Sequence, residues 1–240
     1  MGKQRTKSEL LFEELCKLEN IPFDRLLELQ DDKQPDYEIA PKGEKVVVEI
    51  KQIEPNDEDK AFAAALEQDG MATQCRSPDR MSRRIRNHMR DSCQQFTSYL
   101  SRNSPVPAML VVFDNAKNHY TDPYTIQVAL HGYEQVTLGV GPPGVDPVVI
   151  DAGFGERNNR ELRPDKNEHL SAVATLHECW EVYKPHDRFL RMAIYHNPYA
   201  ETPLSPKLWS SPRVKNFALT DKVKKCVQTW RCLEEDGPSA

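Results

Sequence analysis

Residues 35–53 read Pro35-Asp36-Tyr37-Glu38-Ile39-Ala40-Pro41-Lys42-Gly43-Glu44-Lys45-Val46-Val47-Val48-Glu49-Ile50-Lys51-Gln52-Ile53. Pro41-Lys42-Gly43-Glu44 is turn chemistry between two β-prone runs. Asp36–Ala40 is expected to form one strand and Lys45–Ile53 a second, joined as a hairpin. Val46-Val47-Val48 is continuous and β-branched, which predicts burial of the second strand on both faces. Side chains alternate along a strand, so Glu49 and Lys51 share one face and Ile50 takes the other. Charged groups ending such a run are costly unless partnered or used. Asp36, Glu49 and Lys51 together bring two carboxylates beside an ammonium. That combination suits a hard divalent cation facing an anionic substrate, as phosphodiester hydrolysis requires.

Upstream, Ser8–Leu18 reads as a helix, with Ser8 as N-cap and Leu11, Leu15 and Leu18 at helical spacing. Asn20-Ile21-Pro22 stops it. Ile21–Leu29 is open between a strand edge and a short helix, and Asp31–Gln34 reads as a turn. Downstream, residues 54–80 are polar and weakly periodic; Ala61–Leu66 suggests a helical turn or two within a long loop. Met81–Leu100 is a helix with an apolar stripe of Ile85, Met89, Cys93, Phe96 and Leu100. Arg76 to Arg90 holds six arginines against one acid, Asp79. In an acidic chain such a segment offers a place for phosphate backbone, and Arg83, Arg86, Arg90 and Gln94 are the candidate nucleic-acid contacts.

The second half reads as β-rich, with strands at Pro107–Asp114, Tyr124–Leu130, Gln135–Val140, Pro147–Asp151, Ala172–His177 and Phe189–Tyr195. Thr220–Cys232 suggests an amphipathic helix through Val223, Val227 and Trp230, followed by a frayed tail at Asp236–Ala240. Gly139-Val-Gly-Pro-Pro-Gly144 matches a dinucleotide-loop string, but its prolines and the strand after it favour a β-turn. His177-Glu178-Cys179 lacks the second histidine of a zinc helix.

The order of helix, hairpin carrying D…E-x-K, long helix and strand resembles the PD-(D/E)xK nuclease superfamily. Pro35-Asp36 and Glu49-Ile50-Lys51-Gln52, after the helix starting Ser8-Glu9-Leu10-Leu11-Phe12-Glu13-Glu14, carry the resemblance over residues 8–114. It implies an α/β fold with a restriction-endonuclease-like core, a mixed central β-sheet flanked by helices, to which residues 115–235 add a β-rich extension within one domain. It also implies Mg²⁺, with Mn²⁺ as a substitute, held by Asp36, Glu49 and the carbonyl of Ile50. Lys51 would act on the attacking water or the developing charge. Members often carry a further acid on the first helix, placed here at Glu9, with Glu13 one turn on as its substitute. The expected activity is hydrolysis of DNA, in restriction, repair or anti-phage defence, alone, as a homodimer or with a protein partner. The alternative is an inactive nucleic-acid-binding or scaffolding protein of the same fold.

The totals bound these readings. The chain has 240 residues, 29% charged, with a formal net charge of −5, so nucleic-acid contact must come from a local patch. Its six cysteines show no metal-ligand spacing, which suits reduced thiols in a cytoplasmic protein. No apolar run is long enough to span a bilayer, and the basic N-terminus lacks the apolar segment of a secretory signal.

Overall fold

The computed structural model describes residues 4–26, 34–116, 120–142, 144–155, 160–181, 184–220 and 228–233. Helix α1 (Lys7–Leu18) opens on Thr6, whose side chain accepts from the Glu9 N–H while Glu9 returns the bond, a reciprocal capping box. The cap is thus Thr6, not Ser8, because the Glu at the third helical position selects it. Three short antiparallel strands follow: β1 (Phe23–Arg25), β2 (Tyr37–Ile39) and β3 (Val46–Ile53). The β2–β3 turn places Gly43 at φ +84°, a backbone shape that favours glycine. Helix α2 (Asp57–Asp69) occupies about half of the segment expected to be a loop. Its signals are at its ends: an Asn56/Asp59 capping box and Gly70 in the left-handed conformation. Helix α3 (Pro78–Leu100) leads to β4 (Ala108–Asp114), which lies parallel to β3.

The second half joins the same sheet. Strand β7 (Ala172–Glu181) pairs parallel with β4, β8 (Lys184–His196) antiparallel with β7, β9 (Val214–Leu219) parallel with β8, and β10 (Trp230–Cys232) antiparallel with β9. The result is a mixed eight-stranded sheet in the order β1-β2-β3-β4-β7-β8-β9-β10. A separate two-stranded hairpin comprises β5 (Glu134–Gly139) and β6 (Val148–Phe154). The protein is therefore α/β, with four helices among the described residues. None of them is long and apolar enough to cross a membrane.

Two further readings are corrected. Tyr124–Leu130 lies in helix α4 (Pro123–His131), not a strand; Asp122 caps it and Pro123 opens it. The expected C-terminal helix is contradicted where it is described, since Trp230–Cys232 is β10; residues 221–227, including Val223 and Val227, lie outside the described residues, as do Asp31–Lys33 and the tail. The described cysteines are free thiols.

Each face of the sheet carries its own core. Tyr37, Val46, Val48, Ile50, Met109 and Val111 pack with Phe12 and Leu15 of α1. Val47, Ile53, Leu110 and Val112 pack with Ile85, Met89 and Phe96 of α3 and Ile126 of α4. This two-sided burial is why β3 reads as an unbroken apolar run. The same alternation sends Glu49 and Lys51 to the α3 face.

Candidate functional site

Tyr37 pairs with Val48 and Ile39 with Val46. One step further along the same antiparallel register, Asp36 stands opposite Glu49. The Asp36 carboxylate accepts the Ile50 N–H at 2.8 Å, which fixes it at the mouth of β2. Glu49 is buried on the α3 side, its side chain only 2% exposed. Its Oε1 lies 2.5 Å from Lys51 Nζ, and its Oε2 is buried with no hydrogen-bond partner. Lys51 Nζ also donates to Gln95 Oε1 at 3.2 Å, and Gln95 Nε2 donates to the Gln34 carbonyl at 3.2 Å. One amide on α3 thus holds both the lysine of β3 and the chain entering Asp36.

Burial and mutual repulsion set the charge state. Burial raises the Asp36 pKa, and the Ile50 N–H and Lys51 oppose that rise. Burial pushes Glu49 up to about 7, with the Asp36 charge adding to it and Lys51 opposing. Two carboxyls this close do not both ionise readily in the absence of a compensating cation. An orphaned buried carboxylate oxygen beside a second carboxylate is an oxygen donor set of the kind Mg²⁺ or Mn²⁺ takes. Asp36 and Glu49 fit such an ion; the Ile50 side chain turns into the α1 core, so that residue offers the site only its backbone.

Glu9 and Glu13 are not brought into this pair. Glu9 Oε2 accepts from the Thr6 N–H at 2.6 Å, and its Oε1 pairs with Arg25 at 3.0 Å. Its charge is felt at Asp36, where it raises the pKa. Glu13 is buried and accepts from the Tyr37 hydroxyl at 2.8 Å and from Arg5 at 3.1 Å. Both acids therefore anchor α1 to the sheet and the chain around it. No group of three or more His, Cys, Asp or Glu suited to a metal occurs among the described residues.

The arginines of α3 also divide. Arg86, with its side chain 5% exposed, is buried on Asp79 at 2.9 Å and Ser82 at 2.7 Å, so it does not reach a phosphate backbone. Arg90 makes two bonds to the fully buried carboxylate of Glu161, at 2.8 and 3.1 Å. Arg83 is exposed beside Asp79, and Gln94 is exposed. Next to the site, a cleft of about 250 Å³ is lined by Arg76, Arg80, Arg83, Arg84, Asn87 and Tyr120. Buried Asp59 anchors Arg76 and Arg84, whose guanidinium carbons stand 5.1 and 4.7 Å from the Tyr120 ring centre. His88 sits one turn after Arg84; burial and the Lys51 charge lower its pKa.

No protein-family model, curated protein or solved structure matches this chain. Nothing in these comparisons identifies the PD-(D/E)xK superfamily. Gln95 and His88 join the site without having been legible as part of it. The signal that could have found them is the stripe Arg84, His88, Asp91, Gln95, at i, i+4, i+7 and i+11 along α3, parallel to the apolar one. The other motifs are structural: the Gly139–Gly144 segment follows β5 and opens no helix, His177 bonds Thr175 at 2.8 Å, and Trp209 is buried against Phe12.

Proposed function

We propose that this protein is a metal-dependent nuclease that hydrolyses phosphodiester bonds in DNA. One observation carries the reading: the β2–β3 register sets Asp36 against Glu49, with Lys51 Nζ 2.5 Å from Glu49. The order of α1, a three-stranded antiparallel meander, α3 and a parallel β4 supports a restriction-endonuclease-like core around that pair. A cytoplasmic location and a role in restriction, repair or anti-phage defence belong to the same proposal.

Asp36 and Glu49 would hold Mg²⁺ or Mn²⁺. When bound, such an ion polarises the phosphate and acidifies a water. The protein's own groups do the rest. Glu49 carries the proton that the carboxyl pair shares and gives it up when a cation compensates the charge. Lys51 presents an ammonium to the charge that develops on phosphorus, where a fixed donor is most effective. Gln95 holds that ammonium in place. Arg80 and Arg83, at the mouth of the arginine cleft, take backbone phosphates and set the register of the strand.

One observation favours a second reading, binding without cleavage: Lys51 and the Ile50 N–H already satisfy one oxygen on each acid. Plasmid and single-stranded substrates, incubated with and without Mg²⁺ or Mn²⁺, separate the two. Cleavage that requires metal and disappears in Asp36→Ala, with binding retained, supports the nuclease. Binding without cleavage under every metal supports the second reading. Cleavage by Asp36→Ala at the wild-type rate refutes the site.

A further inference from the structure

The arginine cleft beside the carboxyl pair lies where α2 and α3 both begin. Asn56 and Glu58 line it from the start of the first helix, and Arg80, Arg83 and Arg84 from the first two turns of the second. Both helices bring the positive end of their peptide dipoles to it. Arg76, just ahead of α3, forms part of the wall, with its side chain only 9% exposed. It donates to the Tyr120 hydroxyl at 2.5 Å and to Asp59, yet its Nε is buried without a hydrogen-bond partner among the described residues. A buried guanidinium N–H left unpaired is costly and calls for an acceptor.

The charges around the cleft do not cancel. Arg76, Arg80, Arg83, Arg84 and Arg86 form ion pairs with Glu58, Asp59 and Asp79: five guanidiniums on three carboxylates, which leaves two positive charges over. A backbone phosphodiester carries a single negative charge. A phosphate monoester carries about −1.5 to −2 at neutral pH, on three acceptor oxygens, and the surplus matches it. The guanidinium fork suits those oxygens. The pairs at the mouth yield readily, because Arg80–Glu58 and Arg83–Asp79 are surface contacts with the arginine side chains 59% and 66% exposed. The volume of about 250 Å³ falls below the ~300–1,000 Å³ of sites that enclose a whole small molecule. The cleft therefore suits the end of a longer ligand. It is also tied to the strand of the carboxyl pair: Arg84 donates to the Glu54 carbonyl, three residues beyond Lys51, or ~10 Å at ~3.3 Å per residue.

We propose that the arginine cleft is a binding site for the terminal phosphate monoester of a nucleic-acid strand, with Arg76 and Arg84 at its back and Arg80 and Arg83 at its mouth. What this means for cutting rests on the nuclease reading: a strand held by its end puts Lys51 within about three nucleotides of that end, at ~3.4 Å per stacked step, so short products are released from termini. Binding of one short single strand to the full chain in EDTA tests the site without cleavage. The strand carries a 5′-phosphate, a 3′-phosphate or hydroxyls at both ends. One of the two phosphorylated forms is expected to bind at least ~10-fold tighter than the hydroxyl form. Arg76→Gln should abolish that preference. Asn87→Asp, an exposed position on α3 that lines the cleft, should abolish it too and serves if the first variant fails to fold. Equal affinity for all three strands overturns the proposal. A preference that survives both substitutions also overturns it, since the phosphate is then held elsewhere. So does a phosphorylated mononucleotide that binds as tightly as the strand, which makes a free nucleotide the ligand. The two readings fail separately. A preference for the phosphorylated end without cleavage in Mg²⁺ or Mn²⁺ supports the cleft and sinks the nuclease; metal-dependent cutting of closed circular DNA without any end preference does the reverse.

Discussion

Glu49→Gln should remove a pH-dependent instability built into the site. The glutamine keeps the shape of the protonated acid and an oxygen for Lys51, but it does not ionise. In the wild type Glu49 is nearly fully buried beside Asp36, and its pKa rises from an ordinary 4.5 to about 7. Between those values the folded protein holds a proton that the unfolded chain has released. Stability therefore falls as pH rises from about 4.5 through about 7, then levels off. The interval corresponds to ~3 kcal/mol at 1.36 kcal/mol per pH unit. Urea unfolding of both proteins in EDTA, from about pH 5 to about pH 8.5, reads the titration of the carboxyl pair, because groups other than Asp36 and Glu49 are common to both proteins. The variant should gain ~3 kcal/mol on the wild type across that range. A stability difference that stays constant with pH would refute the raised pKa, and with it the close approach of the two carboxyls.

Four further outcomes follow from the structure. Lys51→Ala should lower turnover at least ~100-fold with the fold intact, as loss of a donor at a developing anion does; wild-type rates would remove Lys51 from catalysis. Arg86→Ala should destabilise by about 1–3 kcal/mol, because it strips a buried guanidinium from Asp79 and Ser82. Arg80→Ala/Arg83→Ala should instead leave stability within about 0.5 kcal/mol and lower the slope of log affinity against log salt by about 2, which salt titration of DNA binding checks. His131 is fully buried with neither ring nitrogen hydrogen-bonded, and burial drives its pKa to about 3. The unfolded chain takes up a proton there that the folded one refuses, so stability is lost as pH falls below about 6.5. His131→Phe should escape that loss and gain ~2 kcal/mol on the wild type by about pH 5 in thermal or urea unfolding; equal acid sensitivity would contradict it.

What the sequence disclosed depended on whether the deciding contact was local. β3 was readable because turn, β-branching and alternation agree within one segment. α4 was not: Ile126, Val128, Ala129 and Leu130 are all buried, so the helix has no polar stripe, and its Ile, Val and Thr favour strand by propensity. Only the Asp122-Pro123 cap distinguishes it, and a cap is a short signal against a long run. β9 escaped for a different reason. Its neighbour β8 lies parallel to it, so no tight turn announces the pairing, and Lys215 and Asn216 interrupt the apolar pattern.

The site divides along the same line. Asp36, Glu49 and Lys51 follow from a hairpin register, which two strands and a turn determine between them. Gln95 and His88 depend on the rotation of α3 about its axis where it crosses β3, and nothing local sets that rotation. An arginine-rich helix then reads as one basic face. Folding separates it: Arg86 neutralises Asp79, Arg90 reaches buried Glu161, Arg84 holds Asp59 together with Arg76 just ahead of the helix, and Arg80 and Arg83 remain at the cleft mouth, paired with Glu58 and Asp79. Three of the acids involved, Asp59, Asp79 and Glu161, are at least two-thirds buried and need a cation. Much of the positive charge of α3 is thus committed inside the fold, and a nucleic-acid strand would find only what that demand leaves at the surface.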